Sequence, residues 1–122
     1  GALDTANNSG IVDANIDVIQ APGAYEMPLV AKALAKRNAY GALVTLAVVI
    51  KGDTPHFDFV AGECARGLSD VSRSFDLPIG FGVLTVNNVE QAMARAADGE
   101  ANKGREAMLA ALEVASLLKT FD

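Results

Sequence analysis

His56 is the single histidine of the 122-residue chain, in the run Val48-Val49-Ile50-Lys51-Gly52-Asp53-Thr54-Pro55-His56-Phe57. Histidine is the side chain that changes charge nearest neutral pH, so chemistry that moves protons would centre on it. The run reads as the end of a buried strand, a Gly-containing turn and the first turn of a helix. In an α/β sheet, ligands bind in the crevice beyond the C-terminal ends of the strands. With Thr54 as N-cap and Pro55 as the first helical residue, the free N–H groups of His56 and Phe57 face that crevice and offer an anion site. A proton donor then stands beside a bound anion. The plainer alternative is a surface histidine in a capping turn.

Other segments carry chemistry of their own. Pro22-Gly23-Ala24-Tyr25-Glu26-Met27-Pro28 joins a strand end to a helix start. Gly23 lets backbone approach a ligand, Tyr25 can stack on a flat ring, and Glu26 can accept hydrogen bonds from hydroxyls. Read plainly, it is an ordinary turn with Glu26 answering the helix dipole. Arg95 lies near the end of one helix and Lys103 opens the next, in Asn102-Lys103-Gly104-Arg105-Glu106. A cation at a helix start opposes the dipole, and a bound phosphate joining Arg95, Lys103 and the helix N–H groups would remove the conflict. Alternatively, both are solvated surface charges. Phe81, between Gly80 and Gly82, invites close approach by a backbone or a ligand, or simply packs in the core. Cys64 has apolar helical neighbours and reads as a packed small hydrophobe.

The elements that must hold these residues follow from periodicity. Gly1 to Asn8 reads as the end of a helix and Ile16 to Gln20 as a short strand. A helix from about Glu26 to Arg37 carries Met27, Val30, Ala31 and Leu34 on one stripe, with Asn38 as a left-handed stop. Ala42 to Ile50 is almost wholly apolar and reads as a central parallel strand buried on both faces. The helix after it runs to about Phe75, with Phe57, Val60, Ala61, Cys64, Leu68 and Val71 on one face. Pro78 to Thr85 is the next buried strand. Asn87 and Glu90 suggest a capping box for a helix from Val89 to about Ala97, and a last helix runs from Asn102 to about Lys119. Strands alternate with helices, which predicts an α/β fold with a mostly parallel sheet in a single domain spanning residues 1–122.

Composition narrows the function. A net charge of −5 with no basic run argues against a nucleic-acid partner. One cysteine excludes an intrachain disulfide, and with no signal-like segment a reducing cytoplasm is the expected location. No apolar stretch is long enough to span a membrane, and His and Cys are too few for a zinc site, so no metal is expected.

Five segments resemble one family in register: Pro22-Gly23-Ala24-Tyr25-Glu26-Met27-Pro28, then Val49 to Asp58, then Phe81-Gly82-Val83-Leu84-Thr85, then Glu90 to Ala96, then Asn102-Lys103-Gly104. Together they are similar to 6,7-dimethyl-8-ribityllumazine synthase, of riboflavin biosynthesis, from about Gly1 to Phe121. Each motif alone is weak; five in order are specific. The resemblance implies a flavodoxin-like, three-layer α/β/α sandwich. It implies a transferase that condenses 5-amino-6-(D-ribitylamino)uracil with 3,4-dihydroxy-2-butanone 4-phosphate, without metal or organic cofactor.

By that resemblance, Ala24, Tyr25 and Glu26 match the segment that holds the pyrimidine and the ribityl chain, and Val48, Val49 and Ile50 match the strand end lining the ring. Asp53 and Thr54 match the turn at the phosphorylated ketone, and His56 the proton-transfer residue. Phe81 faces the pyrimidine and Arg95 the phosphate, with Lys103 and Glu106 beside it. The family's site lies between subunits of a homopentamer, so Phe81, Arg95 and Lys103 would serve a neighbour's His56. The short Asp98–Ala101 loop fits members that build icosahedral shells. Two other functions remain open: an archaeal-type riboflavin synthase, and a non-catalytic flavin- or lumazine-binding shell protein. The family also has a strand, followed by a loop with an aromatic residue and Asn, for which the residues from Gly1 onward hold no counterpart. Either the sequence is a fragment of a longer protein, or the segment is lost and the sheet has a gap between Ile16–Gln20 and Ala42–Ile50. If it is lost, the 122-residue chain is expected neither to fold stably nor to be fully active.

Overall fold

A computed structural model describes residues 1–122. Helix α1 (Ala2–Asn8) leads through an extended segment to a 3₁₀ turn (Ala24–Glu26) and α2 (Met27–Lys36). Strand β1 (Leu43–Ile50), α3 (His56–Phe75), β2 (Ile79–Val86), α4 (Val89–Ala96) and α5 (Lys103–Lys119) follow. β1 and β2 pair in parallel, with Leu43 opposite Ile79 and Ile50 opposite Val86. The class is α/β, as the alternation of strand and helix predicts.

The pleat sorts the strand residues into two layers of contact. Val49 and Val83, with Ala47 and Ile79 beside them, pack on Ala31 and Ala35 of α2 and Cys64, Leu68 and Val71 of α3. On the other face Leu84 and Val86 meet Ala92 of α4. There, a Cβ on Gly80 would run into the Ala107 carbonyl of α5, and one on Gly82 would lie 3.3 Å from the Ala107 Cβ. Helices therefore cover both faces of the pair. Asn38, at φ 53°, ends α2 in the left-handed conformation expected of it.

Ile16–Gln20, expected as a strand, is extended but pairs with nothing, and the sheet has two strands. A strand exists only with a partner for its backbone groups. Here an apolar cavity of about 740 Å³ separates Ile16, Val18 and Ile19 from Leu43–Leu46 of β1, with Met108, Leu112 and Ala115 of α5 among its walls. β1 is likewise not buried on both faces: Leu46, Val48 and Ile50 are exposed. α5 packs on β2 rather than on this end of β1, which leaves that face open.

Candidate active site

The first group of predicted residues gathers at the C-terminal end of β1. Ala24 is buried in the same core cluster as Val49, and its 3₁₀ turn packs on β1 and α3. That anchor leaves Tyr25, 61% exposed, and Glu26 on the surface. Gly23 has φ −172°, an extended conformation open to any residue, and the Glu26 Oε2 atom lies 3.1 Å from where a Gly23 Cβ would stand. Val48 and Ile50 are exposed on one side of the strand end, while Val49 points into the core. Asp53, Thr54 and His56 are exposed in the turn that follows.

The helix start differs from the expectation in detail. α3 begins at His56 with Pro55 as N-cap, and Thr54 accepts no capping hydrogen bond. Pro55 at φ −70°, ψ 3° already turns the chain, and its carbonyl accepts from Asp58 N at 3.0 Å. His56 is thus the first helical residue, on the open end of α3. The α4 cap is also displaced by one residue: Asn88 Oδ1 accepts from Gln91 N at 2.9 Å and Gln91 Oε1 accepts from Asn87 N at 2.8 Å. The Asn-Asn pair offers two frames, and Gln91 rather than Glu90 closes the box.

The second group meets the first at Val48. Arg95 and Lys103 line one cavity of about 350 Å³, walled by Leu46, Ala47 and Val48 of β1, Gly82 and Leu84 of β2, and Asn102 and Gly104. Tyr25, Glu26, Asp53, Thr54 and His56 do not line it. Both cations are anchored on their own helices: Arg95 Nη1 donates to Gln91 O at 3.1 Å, and Lys103 Nζ to Glu106 Oε2 at 2.9 Å. Glu106, in the first turn of α5, eases the conflict of Lys103 with the helix dipole. That pair is half-exposed and contributes about 0–1 kcal/mol.

Phe81 is 48% exposed and belongs by the pleat to the face of Ile79 and Val83. On the opposite face, Gly80 admits the backbone of α5, and a Cβ on Gly82 would run into Leu46 and the Thr45 carbonyl of β1. Leu46, Ala47 and Asn102 were not singled out by sequence reasoning. The first two lie one turn of pleat before the strand end, and Asn102 reads only as a helix start until its side chain is placed. That side chain is nearly buried, accepts from Arg105 N at 2.9 Å and donates from Nδ2 to Ala96 O at 2.8 Å and Ala97 O at 3.0 Å.

The parallel strands with helices on both faces define an α/β protein, the class in which small molecules bind beyond the strand ends. The family model of 6,7-dimethyl-8-ribityllumazine synthase matches residues 1–119. The chain belongs to that family, whose members are transferases of riboflavin biosynthesis. No helix is long and apolar enough to cross a membrane.

Proposed function

We propose that the chain condenses 5-amino-6-(D-ribitylamino)uracil with 3,4-dihydroxy-2-butanone 4-phosphate to 6,7-dimethyl-8-ribityllumazine. The observation that carries this reading is the pairing of Arg95 and Lys103 on one cavity wall within the matched family segment. A phosphate leaving group calls for paired cations, and Arg95 offers a planar fork for its oxygens. The pyrimidine amine adds to the ketone and water leaves to give a Schiff base. Elimination of phosphate follows, and ring closure expels a second water. Tyr25 and Phe81 supply flat faces for the pyrimidine, Glu26 accepts from the ribityl hydroxyls, and Asp53 and Thr54 line the turn at the phosphorylated ketone. His56 carries protons between these steps. Most of the rate comes from holding two substrates together. No cofactor takes part.

Arg95 and Lys103 line one cavity, and Asp53, Thr54 and His56 are not among its walls. The family resemblance supports a homopentamer with sites at its interfaces, where Arg95 and Lys103 of one chain would serve the His56 of a neighbour. The short connection between α4 and α5 supports assembly of pentamers into an icosahedral shell. Incubating the protein with both substrates and following lumazine absorbance tests the reaction. Light scattering tests the assembly, and a mass of one pentamer rules out the shell under the conditions used. A riboflavin synthase would instead convert lumazine alone. A shell protein without turnover would bind lumazine and form none.

A further inference from the structure

We propose that Asn102 is a positioning residue for phosphate recognition: its side-chain amide ties the end of α4, which carries Arg95, to the start of α5, which carries Lys103. The inference rests on the reading of those two cations as the phosphate ligands. Asn102 is 5% exposed, and every buried polar side-chain atom of the chain has a partner. Its Oδ1 accepts from Arg105 N at 2.9 Å and so caps α5. Its Nδ2 donates to Ala96 O at 2.8 Å and Ala97 O at 3.0 Å, the carbonyls just after Arg95.

Capping alone does not require asparagine. Ser and Asp cap a helix about as well, yet neither carries two N–H donors that could reach back to α4. The bridge matters because each cation is held on its own helix, Arg95 on the Gln91 carbonyl and Lys103 on Glu106. Each side chain starts from its own helix end. The spacing of the two charges is therefore the spacing of the two helix ends, which the Asn102 amide sets.

Asn102→Ser keeps the cap and the charge and removes the bridge. The measurements are the inhibition constant of inorganic phosphate, the KM of each substrate and the Tm, on the purified protein. The inhibition constant of phosphate and the KM of the phosphorylated ketone should rise between about tenfold and about a hundredfold, the scale of a small misplacement. The KM of the pyrimidine should stay put. A lower Tm alone, with phosphate inhibition and both KM values unchanged, would make Asn102 merely structural and overturn the inference. If Asn102→Ser does not fold, Asn102→Thr, which also keeps a capping oxygen and lacks the amide donors, is read the same way. Arg95→Ala is the control. If it leaves phosphate inhibition unchanged, the reading of the cations fails and the inference with it; if it weakens inhibition while Asn102→Ser does not, the positioning role alone fails.

Discussion

Gly80 of β2 lies against the backbone of Ala107 in α5, so close that no Cβ fits between them. This contact seats α5 on the sheet and thereby sets the place of its first turn, where Lys103 stands. Gly80→Ala should destabilise the protein by about 1–3 kcal/mol, the usual cost of overpacking. Thermal unfolding measures it, and an unchanged Tm would show that α5 can shift without loss.

The Tyr40 hydroxyl donates to Asp17 Oδ2 at 2.7 Å and clips the Ile16–Gln20 segment to the chain just before β1. That hydrogen bond, which only the protonated phenol can donate, holds the Tyr40 pKa above the ordinary tyrosine value. The folded pKa lies above the unfolded one, so the bond's contribution is complete below the ordinary tyrosine pKa. It is lost as pH rises through that value and the raised folded one. With two tyrosines in the chain, Tyr25→Phe leaves only Tyr40 to titrate by absorbance. Its midpoint should exceed that of free tyrosine and fall in an Asp17→Asn background; the same midpoint in both would mean that no such bond forms in solution.

Cys64 is wholly buried between α2, α3 and the sheet, and burial pushes its thiol pKa up. The thiolate is the reactive form, so native Cys64 should resist alkylation at pH 8 and react on unfolding. Alkylation of the folded protein at the rate of a free thiol would contradict this packing.

His56 stands exposed on the open end of α3, with no side chain fixing it. If positioning supplies most of the catalysis, His56→Ala should lower kcat near the bottom of the ~10²–10⁴-fold range of acid–base groups. Complete loss of turnover would make proton transfer, not positioning, the dominant contribution.

Much of this was legible in the sequence because it is local. Helical periodicity gave α2, α3 and α5 to within a residue or two, and the apolar runs gave β1 and β2. Asn38 announced its positive φ by residue type. What depends on distant partners was not legible. Ile16–Gln20 has strand character but no neighbour to pair with, and the apolar face of Leu46, Val48 and Ile50 is exposed because α5 packs elsewhere. Lys103 looked unpaired because its relief by Glu106 depends on rotamers. The candidate site follows the same rule. Its residue types could be read, but the gathering of Arg95 and Lys103 with Leu46, Ala47 and Val48 round one cavity appears only once the chain is folded.

The decisive measurement is the stoichiometry of the reaction: the protein mixed with both substrates, with lumazine absorbance and inorganic phosphate followed together. Lumazine and phosphate should appear one for one, and both rates should fall together in Arg95→Ala. Lumazine binding with neither product formed, or turnover of lumazine alone, would contradict the proposed condensation.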